Sequence, residues 1–173
     1  FIASTDTFYE FKAKAKDTTG NESTFQNISV QISTLPLVIN EIAWAGTSNT
    51  KPNDEWIEIY NPTNKSISLD GWVLASATDN TPYIKLSKTI AAKGYIVLER
   101  TSSTTISDIA EHQTYTGSLR NEDGGEKLEL SKASTTIDAT PAVGACGSGW
   151  CAGLGNLNYY TMERYDPISS GTN

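Results

Sequence analysis

Short runs of alternating apolar and polar residues, separated by turn-forming residues, limit what this chain can fold into more than any other feature. Residues 9–16 (Tyr-Glu-Phe-Lys-Ala-Lys-Ala-Lys) alternate between apolar and polar side chains, and residues 94–100 (Gly-Tyr-Ile-Val-Leu-Glu-Arg) form a strongly apolar run. Alternation with a period of two places one set of side chains on each face of a strand. No window of about 11 residues has the 3.6-residue period of a helix.

The runs follow one another at the spacing of a β-sandwich. The predicted strands cover residues 38–44, 55–60, 66–75, 83–86, 94–100, 126–130, 136–138 and 159–164. Many short strands bounded by turn residues favour two packed antiparallel sheets. The sequence therefore predicts an all-β protein built as an antiparallel β-sandwich.

Residues 1–34 predict a separate β-hairpin. Tyr9, Phe11, Ala13 and Ala15 would form its inner face, and a turn at 17–22 leads to a return strand at 25–33, where Ile28, Val30 and Ile32 share a face. Two strands alone are marginal in water. We expect the hairpin to add strands to the sandwich or to pair with a second copy of the chain.

The pattern Tyr9-x-Phe11-x-Ala13-x-Ala15-x-Asp17-x-x-Gly20-Asn21-x-Ser23 resembles the last two strands of a fibronectin type III or bacterial Ig-like domain. The resemblance implies a hairpin from a preceding Ig-like domain. Leu35-Pro36-Leu37 follows as a linker, because proline removes a ladder donor. We interpret residues 1–34 as the hairpin, 35–37 as the linker, 38–166 as the sandwich and 167–173 as a tail. A chain that opens without Met inside a strand is interpreted as part of a larger multidomain protein.

A series of motifs from residue 38 onward resembles the lamin tail domain family. In order they are Val38-Ile39-Asn40-Glu41-Ile42, residues 54–62 (Asp-Glu-Trp-Ile-Glu-Ile-Tyr-Asn-Pro), 67–74 (Ile-Ser-Leu-Asp-Gly-Trp-Val-Leu), 94–98, 125–130, Ile137-Asp138 and Thr161-Met162-Glu163-Arg164. The resemblance implies an Ig-like β-sandwich. It also implies an interaction domain as in nuclear lamins, or a module of bacterial secreted or surface proteins. Nuclear partners are not carried over, because the chain has no rod and no basic flank.

The charge balance points away from nucleic acid and membranes. The net charge is −7 and the pI about 4.7, so the surface repels phosphate backbones. No run of about 18 apolar residues is present, so no membrane insertion is expected. The expected partners are a protein or a cell-surface glycan.

Cys146 and Cys151 are the only cysteines, and they flank a Gly-Ser-Gly-Trp loop. This loop is flexible enough to let the sulfurs meet in a disulfide, which predicts an extracellular or cell-surface location. The alternative, a metal or redox pair, would need more ligands or a Cys-x-x-Cys spacing.

Two groups of acidic residues are the candidate polar sites: Asp54, Glu55 and Glu58, and Glu122, Asp123 and Glu126. They are interpreted first as solvated strand faces and turns. Calcium is the weaker alternative, with Asp54, Glu55 and Asp123 as ligands, although neither group fits the calcium-loop pattern. A glycosidase pair of carboxylates is a third reading. The single histidine, His112, has no readable nucleophile or orienting acid, so no catalytic residue is assigned.

Tryptophans supply the remaining candidates. Trp72 is predicted in the core, because large aromatics dominate sandwich cores. Trp44 and Trp150 are interpreted first as locally packed, with ligand contact as the alternative, in which they would stack on a sugar or anchor a protein. The sequence thus predicts a non-catalytic structural or protein-interaction module without a cofactor. The alternatives are a carbohydrate- or calcium-binding module and, less favoured, an accessory domain of a secreted hydrolase.

Overall fold

A computed structural model describes residues 7–32, 35–122, 124–156 and 158–166, which form thirteen strands and no helix. The chain divides into two compact units, Phe1–Thr34 and Leu35–Asn173. The strands are β1 (Thr7–Ala13), β2 (Gln26–Ile32), β3 (Val38–Ala43), β4 (Trp56–Tyr60), β5 (Ile67–Ser68), β6 (Trp72–Ser76), β7 (Tyr83–Lys85), β8 (Thr89–Ile90), β9 (Tyr95–Arg100), β10 (Gln113–Tyr115), β11 (Leu128–Lys132), β12 (Thr135–Ala139) and β13 (Met162–Glu163). The predicted tail at 167–173 lies outside the described residues.

The first unit contains the predicted hairpin. β1 and β2 pair antiparallel, with Phe11 opposite Ile28. Asp17 organises the loop between them, because its carboxylate accepts hydrogen bonds from the backbone N–H groups of Thr19 and Asn21, each at 2.9 Å. Hydrogen bonds from the side chains of Asn21 and Thr19 come first among the causes that lower the pKa of Asp17 to about 2. The hairpin's apolar side chains are open: Phe11, Phe25 and Ile28 are 51%, 57% and 62% exposed. The side chains of Val30 and Ile32 are not among those described.

The second unit is a β-sandwich, as predicted. One sheet has the order β10-β9-β4-β3-β13 and the other β12-β11-β6-β7, with a small β5-β8 pair beside them. Every second residue of the central strands is buried in one core, among them Ile57, Ile59, Leu74, Leu98, Leu128 and Leu130. Trp72 is 2% exposed and belongs to this core, which confirms its predicted place.

The structure differs from the predicted strand pattern at residues 66–76, at the unpredicted two-residue strand β8 and at β10. The single strand expected over residues 66–75 is two strands in different sheets, because Gly71 adopts a φ of +79° that interrupts the extended chain. The strand β10 was not predicted, and it pairs parallel to β9. Its three residues, Gln-Thr-Tyr, are too few and too polar to show alternation.

A buried ion pair joins the two sheets at their edge. The Asp138 carboxylate in β12 accepts hydrogen bonds from the Ile39 backbone N–H at 2.8 Å and from Arg164 Nη2 at 2.5 Å. Arg164 Nε also donates to the Ile39 carbonyl at 2.9 Å. Two sequence motifs far apart in the chain therefore meet, and together they fasten β12, β3 and the residues after β13.

Candidate interaction surface

The outer side of the five-stranded sheet carries an exposed pair of tyrosines. Because Ile57 and Ile59 point into the core, Glu58 and Tyr60 of β4 point outward. Tyr60 lies opposite Tyr95 of β9, and their rings stack with centroids 4.4 Å apart and planes inclined by 23°. Tyr95 remains 53% exposed, so solvent reaches a large aromatic surface.

Three glutamates form a row beside these tyrosines. Glu163 of β13 lies opposite Glu41 of β3, which lies opposite Glu58 of β4. Side chains opposed in this way stand about 5 Å apart, and like charges at that distance destabilise a sheet. Thr161 Oγ1 donates to Glu41 at 2.5 Å and Asn40 Nδ2 to Glu58 at 2.8 Å. Among the described residues, no lysine or arginine forms a salt bridge with any of the three.

Two asparagine side chains near this face use their amide groups differently. The amide of Asn40 donates to the Glu58 carboxylate on the next strand. The amide of Asn61 donates to the backbone carbonyls of Lys65 and Ala91, each at 2.8 Å.

Electrostatic coupling marks the tyrosines and glutamates as one surface. Burial raises the pKa of Glu58, and the charges of Glu41 and Glu163 raise it further. Burial also raises the pKa of Tyr95, with smaller contributions from Tyr60, Glu58 and Glu163. We call the surface formed by Glu41, Glu58, Glu163, Tyr60 and Tyr95 the tyrosine–glutamate face. Aromatic rings beside carboxylates that no cation neutralises can bind a cation in two ways at once, by a cation–π contact and by an ion pair.

The members of the first acidic group lie on opposite faces of the sheet. Glu55 points into the sandwich and Glu58 points away from it, because residues an odd number of positions apart along a strand face opposite sides. Glu55, 2% exposed, lies near Glu126, which is buried on the facing side. Glu55 accepts from Arg100 Nη1 at 3.0 Å and from the Leu119 N–H at 2.9 Å, and Glu126 accepts from the Arg120 N–H at 3.1 Å. The interpretation of Glu55 and Glu126 as solvated carboxylates is therefore wrong.

Burial raises the pKa of both carboxyl groups. For Glu55 it reaches about 7, although the Leu119 N–H and Arg100 act in the opposite direction. For Glu126, burial outweighs hydrogen bonds from Ser76 and Arg120. A glycosidase needs one carboxyl group with a raised pKa and a second that stays ionised, both open to the substrate, whereas burial raises the pKa of both Glu55 and Glu126 and shields both from solvent. Their evident role is to hold Leu119 and Arg120 against the end of the sandwich.

The predicted calcium ligands do not form a shared site in the described residues. The carboxylate oxygens of Glu55 are engaged as above, and Asp54 pairs with Lys51 at 3.3 Å and accepts from Thr47 at 3.2 Å. Asp123 lies outside the described residues. No group of three or more His, Cys, Asp or Glu side chains able to hold a metal ion occurs within the described part. His112 forms a hydrogen bond within the fold, with its Nε2 atom 2.8 Å from the Ser87 carbonyl oxygen.

Trp44 and Trp150 are packed against each other. Their rings are nearly parallel, inclined by 8° with centroids 6.2 Å apart. Trp44 Nε1 donates to the Ala152 carbonyl at 3.0 Å, and Trp150 Nε1 donates to the Arg120 carbonyl at 2.9 Å. A Cβ on Gly155 would approach the Trp44 ring to 2.7 Å, so this glycine lies directly against it. The arrangement favours local packing over the ligand contact considered as the alternative.

The predicted disulfide is present between Cys146 and Cys151. It closes the loop that carries Trp150, and this loop lies against Gly124 through the hydrogen bonds of Gly124 N–H to Ser148 O and Gly144 N–H to Gly124 O, both at 3.0 Å. A Cβ on Gly124 would lie 2.6 Å from the Gly144 nitrogen, so the two segments meet at a distance that only glycine allows.

The two packed, largely antiparallel sheets define an Ig-like β-sandwich. A family model described as Lamin Tail Domain matches residues 31–143. The chain belongs to the lamin tail domain family, as its sequence motifs predicted. The matched residues include β4 and β9 with both stacked tyrosines, and they end before the disulfide loop. A search of curated proteins finds no match. Within the described residues, no helix is long and apolar enough to cross a membrane.

Proposed function

We propose that this chain is a non-catalytic protein-interaction module that binds a cationic segment of a partner protein through the tyrosine–glutamate face. The observation that carries the proposal is the stacked pair of half-buried Tyr60 and exposed Tyr95, which lies beside three glutamates that no described cation neutralises. Large aromatic side chains are the anchors on which protein interfaces concentrate their binding energy.

Charge complementarity specifies the partner. A row of like charges costs stability in the free protein, and a bound cation would relieve that repulsion. Arginine fits best, because its planar guanidinium stacks on aromatic rings and forms two parallel hydrogen bonds with a carboxylate. The net charge of −7 would also speed the encounter with such a partner at low salt.

The proposed setting is an extracellular or cell-surface multidomain protein, of the kind found in bacteria. The Cys146–Cys151 disulfide supports it, because such bonds persist in oxidising compartments. The separate first unit, with its resemblance to the end of a fibronectin type III domain, supports the multidomain arrangement. Calcium binding stays a prediction without support from the described residues.

The test is the binding of a fluorescein-labelled arginine-rich peptide, measured by anisotropy across a range of salt concentrations. We expect Tyr95→Ala to weaken binding about tenfold, since a desolvated cation–π contact contributes between one and two kcal/mol, roughly. Glu58→Gln should weaken binding and reduce its salt dependence.

Two variants control for general loss of aromatic surface and charge. Tyr83→Ala removes a tyrosine of similar exposure from the other sheet, and Glu122→Gln removes one negative charge elsewhere. Both should bind the peptide like the unmodified protein. Failure of the peptide to bind, or equal weakening by Tyr83→Ala and Tyr95→Ala, would reject the proposed face.

A further inference from the structure

The outer side of the four-stranded sheet contains a groove of about 430 Å³. Its floor is the central strand β6, where Val73 and Ala75 point outward with small side chains. Tyr83 on β7 stands opposite Ala75 on one side, and Glu129 on β11 stands opposite Ala75 on the other. Because neighbouring strands are about 4.8 Å apart, the two walls are separated by about 10 Å, enough for a ring to lie between them.

One wall of this groove is the solvent-exposed ring of Tyr83. Tyr83 is 49% exposed and makes no stacking contact with another ring in the described residues. A ring of this kind gives a flat apolar surface with a hydroxyl at its tip. The C–H face of a pyranose ring is the natural counterpart of such a surface.

The other lining groups can donate and accept hydrogen bonds. Asn80, held at a φ of +63°, forms no side-chain hydrogen bond among the described residues. Within the described part of the chain, the Ser131 hydroxyl has one hydrogen bond, a long one of 3.4 Å to the Val73 carbonyl. Glu129 accepts from Lys127 on one oxygen at 2.5 Å, and the partner of its other oxygen in the same part is Thr136, at 3.4 Å. Hydroxyl, amide and carboxylate together match a ligand whose edge is a ring of hydroxyl groups.

The groove is unsuited to two other kinds of ligand. Its lining residues carry no net positive charge, since the one carboxylate among them is paired with Lys127, and this disfavours phosphate, sulfate and acidic sugars. Its floor strand lies between β11 and β7, so its backbone groups are already paired and cannot receive an added peptide strand.

We propose that this groove is a binding site for a neutral saccharide, with Tyr83 as the stacking platform and Asn80, Ser131 and Glu129 as hydrogen-bonding groups. The sugar lies over Val73 and Ala75 with its hydroxyls directed to the polar walls. The site is on the opposite sheet from the tyrosine–glutamate face and does not depend on the function proposed for that face.

The test is an NMR titration of the ¹⁵N-labelled chain with four neutral oligosaccharides: cellohexaose, chitohexaose, maltohexaose and xylohexaose. At least one should shift the amide signals of Val73, Ala75 and Ser131 in a saturable manner. Tyr83→Ala should weaken this binding about tenfold or more, whereas Tyr95→Ala, the matched tyrosine on the other sheet, should leave it unchanged.

A second variant guards against a purely structural effect of the tyrosine change. Ala75→Leu fills the groove floor from the solvent side and removes no polar group, so it should abolish binding without lowering the melting temperature. The proposal is overturned if none of the four saccharides shifts these signals at millimolar concentration. It is also overturned if a saccharide binds the Tyr83→Ala and Ala75→Leu variants as tightly as it binds the unmodified protein.

Discussion

Glu55 illustrates how one buried carboxyl group can set the pH dependence of stability. Its pKa is about 7 in the folded protein, above the ordinary value of 4.5. The folded state therefore holds the proton more tightly than the unfolded chain, and this stabilisation is complete below the unfolded pKa and lost as the pH rises through about 7. Glu126, whose pKa is also raised, acts in the same direction.

We predict that the free energy of unfolding is larger at about pH 5 than at about pH 8, by up to roughly 3 kcal/mol. Glu55→Gln should remove most of this difference, because glutamine does not titrate. Urea unfolding of both proteins at the two pH values measures it. A wild-type protein that becomes more stable toward pH 8 would contradict the assignment.

The Asp138–Arg164 pair gives a second prediction for single residues. Asp138→Ala removes a carboxylate that binds both Arg164 and the Ile39 N–H, and it leaves a guanidinium nearly buried. We expect a loss of about 3 kcal/mol or more, and the double variant with Arg164→Ala should lose little beyond that. Strictly additive losses in urea unfolding would show that the two side chains do not act together.

At the level of single residues, the sequence could predict which side chains are buried where local features alone decide it. Trp72 was placed in the core because it follows a turn and precedes apolar residues. Glu55 and Glu58 look alike in sequence, but alternation along the strand could have distinguished them, because Glu55 is two positions from Ile57 and therefore shares its buried face. The meeting of Glu55 with Glu126, 71 positions further along the chain, could not be predicted, because no local pattern encodes contacts across two sheets.

Among the elements, the disulfide loop is the clearest case of one segment holding another. The bond closes a short loop, so the entropic model gives a modest stabilisation of about 2 kcal/mol. Its further effect is to position Trp150 against Trp44 and the Arg120 carbonyl.

We predict that reduction, or the double change Cys146→Ser with Cys151→Ser, lowers the melting temperature by several degrees and alters tryptophan fluorescence. The Trp150→Phe variant keeps an aromatic ring but removes the indole N–H donor. Its fluorescence shows how much of the signal of the unmodified protein comes from Trp150. An unchanged near-UV circular dichroism spectrum after reduction would indicate that the loop does not hold the tryptophan pair.

The hairpin β1–β2 exposes Phe11 and Ile28 directly opposite each other. We predict that this pair is covered in solution by a second copy of the chain. The double variant Phe11→Ser with Ile28→Ser should then be cut by protease within residues 1–34 much faster than the wild type.

A matched control exists on the other side of the hairpin. Lys12 and Asn27 are also opposite each other, and replacing both by serine should not change cleavage. Sedimentation at several concentrations tests for the second copy, because the dimer fraction rises with protein concentration. A wild-type protein that is monomeric and already cleaved rapidly in the hairpin would refute the prediction.

Elements that contain apolar or alternating runs were predictable, whereas β8 and β10 were not. The strands β3, β4, β7 and β9 lie within or close to the predicted ranges, because each is a run of this kind bounded by turn-forming residues. The two-residue strand β8 and the parallel strand β10 have too few residues for a period to appear. Their pairing is fixed by tertiary contacts such as the hydrogen bond of the Gln113 amide to the Lys85 carbonyl.

For the whole molecule, the sandwich presents two outer faces of different chemistry. The five-stranded sheet shows stacked tyrosines and glutamates, and the four-stranded sheet shows a groove lined by small and polar side chains. The sequence predicted an interaction module but placed its contacts on Trp44 and Trp150. It could not indicate either face, because the residues of each face come from several strands and meet only after the sheets form.

The most direct measurement is NMR mapping of the arginine-rich peptide on the ¹⁵N-labelled chain. We predict saturable shifts concentrated on the amide signals of Glu41, Glu58, Tyr60, Tyr95 and Glu163, reduced by added salt. Shifts confined to the four-stranded sheet, or spread evenly over all acidic residues, would contradict the claim that the tyrosine–glutamate face is the binding surface.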